Sequence, residues 1–212
     1  KSLGNVLDPA ELLSKYGKDA VRWYLIKDIS LGNDGDFQNR RFVDIVNNDL
    51  ANTIGNLLNR TSSMSRKWFD NKVPKYEVSI NKGLLEAQAK ETVDNYFSNL
   101  NDYKLDLAAN DILDFAIKIN LFLNEKEPWK LIKDDVNLPE VQEIIYGVLE
   151  STRIIGLLLL PLLPDLASKI NHQLGSIYKH ELAWKKQLNW GLLKQESSLP
   201  IPTPIIEKLE YD

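Results

Sequence analysis

Apolar residues recur at steps of three and four through most of this 212-residue chain, the signature of helices that each bury one face. From about Asn39 to Phe69 a single seam runs through Val46, Leu50, Ile54, Leu57, Thr61, Met64 and Trp68. Beyond the loop NKVPKYEVSINKG, a second seam passes through Leu85, Ala89, Val93, Tyr96, Leu100 and Tyr103. A third uses Leu105, Ala109, Ile112, Phe115, Ile119 and Phe122. The fourth, Val141, Ile144, Val148, Ile155 and Leu159, is ended by Pro161, and a shorter helix from Pro164 to Leu174 closes on Gly175. Long amphipathic helices with short connectors predict a mainly α fold, an antiparallel α-helical bundle whose core is made by these seams.

The flanks are built differently. Asp8, Pro9 and Glu11 supply a capping carboxylate, a first-turn proline and a capping-box glutamate, so a short helix is predicted up to Gly17. A second short helix is predicted over Asp19 to Lys27. The turn formers of LGNDGDF then break the chain, which places a boundary near residue 38. At the other end, LPIPTPIIEKLE is too rich in proline for helix and is predicted to run extended over the surface. No fixed-period repeat, low-complexity tract or long heptad array interrupts this plan.

Composition narrows the chemistry. The chain has no Cys, which excludes disulfide scaffolds, thiolate metal sites, iron–sulfur clusters and thiol catalysis. The two histidines, His172 and His180, lack a ligand pattern, so no metal site is expected. Asn33, Asp34 and Asp36 resemble the start of a calcium loop whose later ligands are missing, and Asn59-Arg60-Thr61 is a glycosylation sequon inside a predicted helix. No phosphate-cradling P-loop or GxGxxG string occurs. The longest apolar run, Ile154 to Leu163, is short of the roughly 20 residues a bilayer span needs, so no membrane partner is expected. The chain starts at Lys1 without a leader, which reads as a piece of a longer, cytoplasmic protein. A formal charge of −4 argues against sequence-blind polyanion binding, yet Arg22, Arg40, Arg41, Arg60 and Arg66 all fall in the first third.

Three segments carry candidate chemistry. In KSLGNVLDP, Lys1 and Ser2 sit on a glycine-containing loop ahead of a helix, a setting that can hold phosphate oxygens. In GNLLNR, Asn56 and Arg60 are four apart and share one helix face beside the seam. An amide and a guanidinium held together suit base-edge reading; a solvated polar face with Arg60 snorkelling fits the same spacing. In NEKEPWKLI, Pro128 restarts a helix and Trp129 stands at its start, either as a stacking platform for an unpaired base or as a plug for an interhelical corner.

As strings in this order, KSLGNVLDP, KYGKDAVRWYL, GNDGDF, NNDLANTIGNLLNR and NEKEPW resemble the C-terminal half of methionyl-tRNA synthetases, over residues 1 to about 175. The resemblance implies that Lys1 and Ser2 end the KMSKS loop of a class I aminoacyl-tRNA synthetase and contact ATP, with Mg2+ expected in the full-length enzyme. It implies that Asn56, Arg60 and Trp129 read the CAU anticodon of tRNA(Met). Residues 1–38 would be a short stem-contact α/β segment joining a catalytic domain to the bundle, 39–175 the anticodon-binding bundle, and 176–212 an extension packed on it. The HIGH loop, methionine pocket and zinc-binding insertion of the family would lie upstream, so these residues alone would not aminoacylate. The tail departs from the family pattern, in which Arg commonly follows a Phe-Pro pair. Two rivals stand beside this reading: a class I synthetase for another apolar amino acid, and a helical interaction module with no RNA role.

Overall fold

The structure, a computed structural model, describes residues 8–28, 37–75, 80–81, 83–176, 178–179 and 183–211. Among them every regular element is helical, and the only ladder pairing is an isolated antiparallel bridge between Lys72 and Ser198. The predicted antiparallel bundle is present. The described part of residues 1–38 consists of α1 (Pro9–Tyr16) and α2 (Lys18–Asp28) and contributes no strand. The Asp8 carboxylate caps α1 by accepting from Ala10 N–H at 2.9 Å, as its sequence predicts.

The seam from Asn39 to Phe69 forms one continuous rod with an unpredicted interior. It starts as α3 (Asn39–Ile45), widens into a π-helical stretch (Val46–Gly55) and returns to α geometry as α4 (Asn56–Phe69). The i→i+5 bonding extends to Asn56, whose backbone N–H reaches the Ala51 carbonyl. Steps of three and four do not distinguish this wider helix from an α-helix, because both bury Val46, Leu50 and Ile54. Side chains from a neighbour settle into it: Asn120 donates to the Thr53 carbonyl at 3.3 Å.

Helices α5 (Leu84–Asn101) and α6 (Leu105–Lys126) form a hairpin, and its α6 arm packs against this rod. After α6 come the one-turn α7 (Pro128–Leu131), a 3-10 turn at Asp135–Asn137, α8 (Leu138–Leu159), α9 (Pro164–Gln173) and the short α10 (Trp184–Gln187). The fourth seam requires correction. Its residues predict one buried face, yet every residue from Ile144 to Leu159 is buried, so α8 is the central strut rather than a surface helix. It packs on α4, α5, α6 and α9, and the C-terminal segment covers the side left over. Gly156 shows how tight that packing is: a Cβ there would lie 2.8 Å from Ile170 Cγ2 of α9.

The C-terminal residues follow the bundle in an extended course. Val73 N–H donates to the Ser197 carbonyl at 2.9 Å, and Glu196 N–H to the Val73 carbonyl at 2.8 Å. Farther on, Gln173 Nε2 donates to Thr203 Oγ1 at 2.8 Å. The amide of Asn47 then grips the tail from both sides, donating to the Leu209 carbonyl at 2.9 Å and accepting its N–H at 2.8 Å. Tyr211 closes the run on Asp44 at 2.6 Å. The tail therefore runs antiparallel to the rod, its backbone partners supplied by side-chain amides where no strand is available. Leu193, Leu199 and Ile205 insert into the common core.

Candidate nucleic-acid interface

Asn56 and Arg60 stand on the first two turns of α4, just where the rod leaves π geometry. Asn56 is exposed and Arg60 half-buried, on the flank of the seam that buries Leu57 and Thr61. The Thr61 hydroxyl is spent on the Leu57 carbonyl at 2.8 Å and is fully buried.

Trp129 reaches the same place from the start of α7. Its approach depends on Glu127, which takes a left-handed φ of 45° between α6 and α7. A non-glycine residue seldom adopts that conformation, and here it turns the chain sharply enough for Pro128 to start a new helix beside the old one. Pro128 is buried and anchors the turn, while Lys130 pairs with Glu127 three residues back. The half-buried Trp129 ring then lies with its centroid 5.6 Å from the Arg60 guanidinium carbon, within cation–π range.

A residue that sequence reasoning did not single out completes the arrangement. Asn124, exposed on the last turns of α6, accepts a hydrogen bond from Arg60 Nη2 at 3.1 Å. The guanidinium is thus held at two points, by an amide oxygen and by an aromatic face. It has five N–H donors and no acceptor, so most of its donors stay available in a fixed orientation. The one sequence signal for Asn124 is its place four residues before Pro128, two residues short of the end of α6.

The remaining predicted positions separate cleanly. Lys1, Ser2, Asn33, Asp34, Asp36 and His180 lie outside the described residues. His172 is on the exposed side of α9. Among the described residues there is no cluster of three or more His, Asp or Glu able to hold a metal ion, and no helix is long and apolar enough to cross a membrane. The other arginines of the first third are partly committed to the fold: Arg22 donates to the Pro161 carbonyl at 3.0 Å and to that of Leu162, and Arg41 pairs with Asp28.

Electrostatics set the platform behind this face. Asp49, within the π stretch, accepts the Trp23 indole N–H at 2.9 Å. Burial raises its carboxyl above the usual range, opposed by that hydrogen bond and by Lys27. Burial likewise raises Asp19, although its carboxylate accepts the Leu166 N–H at 2.7 Å. These carboxylates fasten α2 to the rod and to α9.

Comparison with known proteins places this architecture. Residues 1–62 match the family described as class I tRNA synthetases (M), which defines the class. Residues 74–212 match the anticodon-binding domain of methionyl-tRNA ligase. The chain belongs to the methionyl-tRNA ligase family and carries its anticodon-binding domain, which removes the helical-module and other-synthetase rivals. The methionine–tRNA ligase of Thermosynechococcus vestitus is 39% identical over 217 residues, covering 99% of this chain and 41% of the relative. That of Bacillus subtilis is 34% identical over 214 residues, 100% of this chain and 32% of the relative. The free-state methionyl-tRNA synthetase of Mycobacterium tuberculosis superposes with a TM-score of 0.89 at 28% identity, over 97% of this chain and 42% of that one. The chain therefore spans about two-fifths or less of the length of these relatives. Asn56 and Arg60 fall within the first family match and Trp129 within the second.

Proposed function

We propose that this chain seats the anticodon loop of tRNA(Met) for a methionine–tRNA ligase, with Arg60 and Asn56 reading base edges and Trp129 stacking under one base. The observation that carries this reading is the Arg60 guanidinium held between Asn124 and the Trp129 ring on an accessible corner of the bundle. An unpaired cytosine presents N3 and O2 as neighbouring acceptors, and a donor-only fork complements that pair. Uracil turns an N–H toward the same fork and is disfavoured. The CAU anticodon contains one such cytosine, and a ring beside the fork holds that base in plane.

In the longer enzyme, methionine is activated with ATP and Mg2+ and transferred to the tRNA. Lys1 and Ser2 belong to the loop that holds the ATP phosphates; residues 1–38 contact the stem and join the catalytic domain, and 39–175 form the anticodon-reading bundle. Residues 176–212 are the extension packed on that bundle. Without the catalytic domain, these 212 residues bind but do not aminoacylate. The protein works in the cytoplasm, where its tRNA is.

Competition between stem-loops bearing CAU and other anticodons, at stated salt, tests the reading. The chain is expected to prefer CAU; equal binding of all loops contradicts anticodon recognition.

A further inference from the structure

Beside Asn56 lies a groove of about 350 Å3, between the helical face from Ala51 to Asn59 and the tail from Pro204 to Lys208. One wall carries Asn52, Asn56 and Asn59, spaced four and three residues apart and therefore stacked on one face. The other wall is apolar at Ile205 and Ile206, with the exposed Lys208 at the rim. Gly55 lies between the walls: a Cβ there would come 3.1 Å from Ile206 Cγ2, so glycine lets the tail lie close to the rod. The tail is held on both sides of the groove, by Gln173 at Thr203 and by Asn47 at Leu209. The groove is thus a built feature, fixed at both ends.

Its polar groups are unspent. Among the described residues, the side chains of Asn56, Asn59 and Lys208 have no hydrogen-bond or ion-pair partner, and Asn52 has only a long contact of 3.4 Å to Asn48. Carboxamides offer donors and acceptors together, which matches a base edge; an isoleucine face matches a base plane; a lone ammonium matches one phosphate. These requirements meet in an unpaired nucleotide. Asn56 borders this groove and also shares its helix face with Arg60, so the two places are continuous.

We infer that this groove is a second nucleotide subsite, which takes the unpaired nucleotide next to the one stacked on Trp129. Asn52 and Asn59 meet its base edge, Ile206 packs its face and Lys208 holds its phosphate. The inference rests on the anticodon-binding reading above and extends it to the tail.

The test uses the 212-residue chain and an RNA stem-loop with a CAU anticodon, titrated at several salt concentrations. Lys208→Ala is expected to weaken binding several-fold and to lower the magnitude of the log–log salt slope by about 0.7, the value for one single-strand phosphate contact. Lys208→Arg should restore the slope. The Asn52→Ala, Asn59→Ala double variant should lose discrimination at one loop position, distinct from the position sensitive to Arg60→Ala. These three residues are partly or fully exposed, so far-UV circular dichroism should be unchanged. An unchanged slope in Lys208→Ala, or unchanged discrimination in the double variant, overturns the subsite if Trp129→Ala still weakens binding. If Trp129→Ala and Arg60→Ala also leave binding unaltered, the anticodon reading falls and the subsite falls with it.

Discussion

Arg60 and Arg153 are the same residue type put to opposite uses, and the difference lies in how many donors each has left. Arg153 is 3% exposed in the middle of α8. Its Nε and Nη2 donate to the Glu150 carboxylate at 2.8 and 2.7 Å, Nη2 also reaches the Asn189 carbonyl at 2.7 Å, and Nη1 reaches that of Gln187. Glu150, fully buried, accepts backbone N–H groups of Gly191, Leu192 and Leu193 besides. That knot ties the C-terminal segment to the central helix and engages four of the five N–H donors of a buried guanidinium, out of reach of a partner. Arg60 spends one hydrogen bond on Asn124 and rests against a ring, so its fork stays open. A nearly saturated guanidinium holds a fold together; a half-satisfied, immobilised one is equipped to recognise.

The largest way to break the contrast is at the knot. Glu150→Ala orphans Arg153 and three backbone donors, and removing one partner of a buried pair typically costs about 3–5 kcal/mol. Urea unfolding should show a loss of that size; a loss under about 1 kcal/mol would mean that the knot is not a structural anchor. Trp129→Ala should leave helix content intact while weakening stem-loop binding by about 1–3 kcal/mol, the usual contribution of one stacked base. Equal binding by variant and parent would remove Trp129 from the interface. Asn124→Ala should cost about 0.5–1.5 kcal/mol in discrimination between anticodons, with unfolding unchanged, because it frees the Arg60 fork without touching the core. A loss of stability in place of discrimination would make Asn124 part of the scaffold.

The smallest effect concerns the platform and depends on pH. Burial, together with the Asp28 carboxylate, pushes the Tyr24 phenol up to about 12 from an ordinary value of 10.0. A raised phenol favours the folded chain fully below pH 10, and that contribution drains away as pH climbs toward 12. Tyr24→Phe should flatten this decline in chemical unfolding measured across the window. An unaltered alkaline decline would assign it to other groups.

The helices were legible because their seams are local: Val46 to Trp68, or Leu105 to Phe122, can be read within a few turns. The π stretch was not, since its burial pattern meets the same spacing rule. Glu150 and Arg153, three apart, have the spacing of a surface ion pair, and only the covering tail makes them interior. The tail itself is held by Asn47 and Gln173, 162 and 30 residues away from Leu209 and Thr203 in sequence, which no local pattern encodes. In the candidate interface, Asn56, Arg60 and Trp129 could be named from their strings. Asn124 and the groove at Asn52, Asn59 and Lys208 emerge only once α6 and the tail are laid against the rod.

Base reading by Arg60 is tested most directly by the discrimination of Arg60→Ala between stem-loops carrying CAU and loops altered at the cytosine. The parent chain is expected to prefer the cytosine by about 1–3 kcal/mol, as for a bidentate base contact, and the variant to lose most of that preference. A uniform loss of affinity across all loops, with the preference intact, would contradict base reading and make Arg60 a phosphate contact.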